Sequence, residues 1–135
     1  MSLSRRTFLF GAAAGALLPA ISCVSNNAPL IEAAADRTLP LPPQLAEIGS
    51  QVKVVVPGSP DPVLIWRTKI GFGGTSLKCD YCRSELIYRH AEGHLDCLGQ
   101  GCRFTLDGNV LRGPAKNPRK VFLVDLRGEK LHILG

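Results

Sequence analysis

From Leu45 onward the apolar residues come in short runs, and none of them holds helical spacing. Val52-Lys53-Val54-Val55-Val56 and Val63-Leu64-Ile65-Trp66-Arg67 read as strands around the turn formers Pro57-Gly58-Ser59-Pro60-Asp61-Pro62. Gly71-Phe72-Gly73-Gly74 reads as the next turn, from which Thr75-Ser76-Leu77 runs on. Glu85 to Tyr88 and His94 to Asp96 pair as short strands across Ala91-Glu92-Gly93. Phe104 to Leu106 and Val110-Leu111 flank the turn Asp107-Gly108, and Val121 to Leu126 with Lys130 to Leu134 make a last hairpin across Arg127-Gly128-Glu129. The pattern predicts an all-β domain, with Trp66 as a core strand residue.

The chain before this domain is built differently. Met1 to Arg6 is basic, Phe8 to Leu18 is a run of apolar residues and glycine, and no acidic residue precedes Glu32. That is the pattern of an export signal, too short for a comfortable membrane span. Arg5-Arg6 within Ser4-Arg5-Arg6-Thr7-Phe8-Leu9 resembles a twin-arginine signal, whose route carries folded proteins out of the cytoplasm. The signal is read as residues 1–23. Ala20-Ile21-Ser22-Cys23 loosely resembles a lipidation box, which would make Cys23 an acylated membrane anchor. Ala33-Ala34-Ala35 is the alternative cleavage site, and an uncleaved signal is a third outcome. Residues 24–43 are poor in large apolar side chains and end in Leu39-Pro40-Leu41-Pro42-Pro43, so they are expected to form a flexible tether. Residues 44–135 are then the folded domain.

Length and charge narrow the function. At 135 residues the chain holds one small domain and an appendage. Its net charge is +5, and removal of Arg5 and Arg6 leaves fourteen basic against eleven acidic residues. Lys116, Arg119 and Lys120 could face an acidic redox partner or lipid phosphates, but a solvated turn accounts for them. No aromatic-plus-basic platform supports nucleic-acid binding. There is also no Ser-His-Asp ordering, no phosphate loop and no paired carboxylate near the cysteines, so nothing in the sequence suggests hydrolytic or transferase catalysis.

The chemistry gathers between residues 78 and 114. Four of the five cysteines fall there, as Cys79-x2-Cys82 and Cys97-x4-Cys102, with fourteen residues between the pairs. Two tight loops brought together by a hairpin offer four thiolates to one metal or cluster. Paired disulfides are the alternative in an exported protein. His90 and His94 flank the far turn of the hairpin. At about 3.3 Å per strand residue they lie out of reach of both loops, and they are assigned to the surface.

The same stretch resembles a Rieske-type iron–sulfur domain. Cys79-Asp80-Tyr81 matches the family's first cluster box, C-x-H. Cys97-Leu98-Gly99-Gln100-Gly101-Cys102-Arg103-Phe104 follows the second box, C-x-x-H-G-S-x-F, position by position. Leu106 to Ala115 is similar to the usual continuation, in which Gly113-Pro114 and Pro118 shape a loop over the cluster. The resemblance spans roughly Leu45 to the C-terminus. It implies a small antiparallel Rieske-like sandwich or barrel with an inserted two-loop metal-binding subdomain at about 78–104. Both histidine positions are lost, to Tyr81 and Gln100, while Cys82 and Cys102 stand close by as replacements. The extra cysteine pair of some members falls at Ser84 and Gly99 and is missing.

What the resemblance implies is an exported, membrane-associated carrier of single electrons. It would bind a [2Fe-2S] cluster through Cys79, Cys82, Cys97 and Cys102 and pass electrons to a redox protein partner. The alternative is a structural or interaction module in which the same cysteines hold zinc or close as disulfides with no metal at all. Because the family's cysteines at 79 and 97 share one iron, the disulfides expected without metal are Cys79–Cys97 and then Cys82–Cys102.

Overall fold

The structure, a computed structural model, describes residues 25–134. The signal reading of residues 1–23 and the lipidation of Cys23 lie outside the described residues. Among the described residues there are eleven strands, and the expected all-β class is observed. Seven of them, β1 (Leu30–Glu32), β2 (Thr38–Pro40), β3 (Gln51–Val55), β4 (Val63–Arg67), β5 (Phe72–Ser76), β10 (Val121–Arg127) and β11 (Lys130–Leu134), form one sheet in the order β1-β3-β4-β5-β10-β11-β2. That sheet curls into a nearly closed barrel. The other four, β6 (Leu86–Arg89), β7 (His94–Cys97), β8 (Arg103–Thr105) and β9 (Val110–Arg112), form a smaller antiparallel sheet inserted between β5 and β10. The inserted unit therefore runs on past residue 104, to Arg112.

β4 is the wall between the two sheets. Its alternation sends Val63 and Ile65 into the barrel core, with Val52, Val54, Leu131 and Ile133. Leu64 and Trp66 point the other way, into a second core with Leu86, Leu95, Phe104 and three of the cysteines. A strand covered on both faces reads as a continuous apolar run, as Val63 to Trp66 does. Trp66, 1% exposed, stacks on Tyr88 of the small sheet with ring centroids 5.7 Å apart.

Two expectations are corrected. Gly71 to Gly74 is not a turn, because Phe72, Gly73 and Gly74 lie within β5. A Cβ on Gly73 would come 2.4 Å from the Trp66 indole, so the glycine is there to let the ring lie flat on the strand. Residues 24–43 are not a free tether either, since β1 runs parallel to β3 with Leu30 opposite Lys53, and β2 closes the other edge against β11 with Leu39 opposite Leu131. Asn26 is buried, its side chain donating to the Leu86 carbonyl and the Gln51 side chain. These short strands hold their place through edge pairing and one buried amide, and proline is tolerated at such an edge.

Candidate metal centre

Both cysteine loops are closed by their own backbone. Cys79 N–H donates to the Ser84 carbonyl and Arg83 N–H to that of Cys79, with Arg83 left-handed at φ 62°. In the second loop Cys97 N–H donates to the Cys102 carbonyl, and Gly101 takes φ 79°. Leu98 N–H donates to the Glu85 carbonyl and draws the loops side by side. At their contact a Cβ on Gly99 would meet Ser84 Oγ at 2.3 Å and Cys82 Sγ at 3.3 Å. Ser84 and Gly99 thus face each other, where the resemblance places the missing cysteine pair. Glu85 anchors the base of the first loop. It accepts from the Asn26 N–H at 2.7 Å and pairs with Lys53 and Lys78 at 3.4 and 3.5 Å.

The Sγ atoms of Cys79, Cys82 and Cys97 all lie within 4.8 Å of one another. Thiolates about 2.3 Å from a shared ion stand roughly 3.8 Å apart, so small shifts would let this trio bind one. Cys102 stands outside the trio, fully buried, and feels the charges of Cys79 and Cys82. No disulfide joins the four. The shortest sulfur–sulfur contact is Cys82 to Cys97 at 3.0 Å. Cys82 and Cys97, one from each loop, therefore make the closest approach, with Cys79 beside both. The expected approach of Cys79 to Cys97 is present within that trio, although the shortest contact joins Cys97 to Cys82.

The thiols do not titrate alike. Burial works to raise Cys82, but the Cys97 thiol and the Ser84 and Gln100 groups hydrogen-bond its sulfur and bring it down to about 7. Burial pushes Cys97 up to about 12, helped by its hydrogen bond to Cys82. Burial also raises Cys102, with the Cys79 charge adding to it. The close pair shares one proton, and Cys82 is the sulfur that ionises first.

Tyr81 and Gln100, at the lost histidine positions, are both exposed at the loop tips. His90 is exposed as expected, its Nδ1 2.8 Å from the Tyr88 hydroxyl. His94 is buried rather than on the surface. It lies on β7, 3.2 Å from Asp96, which also pairs with Arg89 and Arg103. Neither histidine joins the sulfurs.

The residues after β9 fold over the second loop. Gly113, at φ 99°, lies so close that a Cβ would stand 2.5 Å from Cys102 Cα. Beyond it a cavity of about 300 Å³ opens, lined among others by Asp80, Tyr81, Lys116 and Arg119. Lys116 and Lys120 are exposed, but Arg119 is buried and does not belong to a solvated turn. Sequence reasoning missed this residue, because nothing in Lys116-Asn117-Pro118-Arg119-Lys120 separates one basic side chain from its neighbours.

No protein-family model matches the chain, and no curated protein is similar to it in sequence. Solved structures do match. The plasma-membrane Rieske protein of the cyanobacterium Synechocystis PCC 6803 is 19% identical with a TM-score of 0.52, over 63% of this chain and 86% of that one. The ferredoxin of carbazole 1,9a-dioxygenase from Nocardioides aromaticivorans is 20% identical with a TM-score of 0.58, over 72% and 96%. A Sphingomonas yanoikuyae ferredoxin is 17% identical with a TM-score of 0.57, over 73% and 98%. The barrel, the inserted small sheet and the paired loops at its tip together make a Rieske-like fold.

Proposed function

We propose that the chain binds a [2Fe-2S] cluster through Cys79, Cys82, Cys97 and Cys102 and carries single electrons. The observation that carries this reading is the convergence of three thiols from two loops, with Cys102 buried in the same core, at the tip of a Rieske-like fold. The donor set fits a cluster held by thiolates alone and does not fit one held by two imidazoles, since no histidine joins the sulfurs. When bound, the cluster supplies one-electron redox chemistry. The chain's part is to hold the thiolates, with Leu86, Leu95 and Phe104 keeping water from their inner side and the exposed Tyr81 ring offering a contact to a partner.

A single tetrahedral zinc ion is the second reading, favoured by one observation. Three sulfurs within 4.8 Å are as compact as a one-ion site requires. Export by the twin-arginine route, with retention at a membrane through Cys23 or the uncleaved signal, belongs to the same proposal. It rests on Arg5-Arg6 and the apolar run after it. No helix among the described residues is long and apolar enough to cross a membrane.

Metal analysis and a visible spectrum of natively exported protein test the proposal. Brown protein with two irons per chain is expected. One zinc per chain, or none of either metal, defeats it.

A further inference from the structure

Arg119 is the one basic side chain of its loop that is withdrawn from solvent, with only 2% of the side chain exposed. Its Nη2 donates to the carbonyls of Ser76 at 2.7 Å and Lys78 at 3.0 Å, which sets the guanidinium against the backbone entering Cys79. The guanidinium carbon lies 5.3 Å from the centre of the Phe104 ring, in the same core as the cysteines. The backbone holds it there as well. Arg119 N–H donates to the Gly108 carbonyl at 2.7 Å, and a Cβ on Gly108 would strike the Arg119 carbonyl oxygen at 2.3 Å.

What the guanidinium lacks, among the described residues, is a close and buried anion. Its Nη1 is buried with no hydrogen-bond partner. The nearest carboxylate, Asp80, is 3.8 Å away on a side chain 79% exposed, which is too loose and too well solvated to offset a buried charge. A guanidinium buried with so loose a pairing is unfavourable in an apolar setting. Burial works against the charged form of Arg119; after Asp80, the charges that favour it are those of Cys79 and Cys97, which share its core.

We propose that Arg119 is the internal counter-cation of the thiolate centre, a positioning residue that makes a net negative cluster or ion tolerable in this core. The inference rests on the metal-binding reading above but not on the choice of metal. Four thiolates leave a net negative charge on a divalent ion and on a pair of sulfide-bridged ferric irons alike. Reduction of a cluster adds one more negative charge, so Arg119 favours the reduced form.

Two substitutions separate charge from hydrogen bonding. Arg119→Lys keeps the cation and loses the planar fork, whereas Arg119→Gln keeps amide donors for the two carbonyls and loses the charge. Zinc affinity, by competition with a chelator, and the thermal shift on adding zinc are read for both variants against the unaltered protein. The expected result is that R119Q binds zinc at least tenfold more weakly while R119K stays close to the parent. In iron-loaded protein a tenfold smaller preference for the reduced over the oxidised cluster would lower the R119Q potential by about 59 mV. R119K losing as much zinc affinity as R119Q, or more, would show that Arg119 is only a brace for the loop. Iron analysis of the parent decides the cluster reading separately, and a parent that binds neither metal overturns both proposals.

Discussion

The two cores on either side of β4 are made of different material. The buried residues of the barrel core are all aliphatic, and its strands are paired in ladders. The core under the small sheet holds Cys79, Cys97, Cys102 and Phe104, with the Arg119 guanidinium against the ring. Burial of aliphatic surface is favourable on its own account, at about 25 cal/mol per Å². Burial of thiols beside a cation whose Nη1 has no acceptor is favourable only once something joins them. One half is therefore a scaffold complete in itself, and the other is a scaffold waiting on chemistry.

A substitution in the shared wall should break both halves at once. Trp66→Ala opens a cavity between β4 and Tyr88 and is expected to lower stability by about 3–5 kcal/mol. Against a total of roughly 5–15 kcal/mol that is a large share. Chemical unfolding followed by tryptophan-independent circular dichroism should show one cooperative transition, displaced to lower denaturant with metal present or absent. Two separate transitions would mean that the cores are less coupled than their shared strand implies.

A substitution at the sulfurs should separate the halves. Cys97→Ser is expected to weaken metal binding by more than the roughly 10–100-fold typical of losing an outer partner. Hydrogen exchange should then speed up across β6 to β9 while the ladders of β3, β4 and β5 stay protected. Equal loss of protection in the barrel would show that it depends on the centre.

The smallest effects sharpen the picture of the site itself. In reduced, metal-free protein Cys82 should be alkylated first, with a rate that is half-maximal near pH 7. The sign follows from its lowered value. Below pH 7 the sulfur holds its proton and the rate falls about tenfold per unit, while above it the thiolate is already formed. A midpoint near the ordinary 9.0 would mean that the Cys97 thiol and the Ser84 and Gln100 groups do not hold the sulfur. On oxidation without metal, peptide mapping should find Cys82 joined to Cys97, the sulfurs 3.0 Å apart. Recovery of Cys79–Cys97 instead would restore the pairing inferred from the family resemblance.

The same contrast explains what was legible in the sequence. The barrel strands announced themselves through runs such as Val63 to Trp66, and the cysteine loops through their short spacings. β1 and β2 did not, because three residues are too few to show a period and prolines surround them. Gly73 was read as a turn, since its reason for being glycine is an indole arriving from another strand. Arg119 and His94 were given to the surface because a charged or titratable side chain is buried only by tertiary partners, such as the Ser76 carbonyl or Asp96, that local sequence does not display. The pairing of the sulfurs depends on the Leu98–Glu85 bond between loops, which spacing alone does not encode.

The central claim is that thiolates alone hold the redox centre, and a redox titration of the iron-loaded protein across pH tests it most directly. Four thiolates should give a potential near the roughly −400 mV of plant-type centres, and one that stays flat through neutral pH because no imidazole ligand releases a proton. A potential within the roughly −150 to +300 mV span of histidine-ligated centres, falling as pH rises, would contradict the account and place a histidine on the iron.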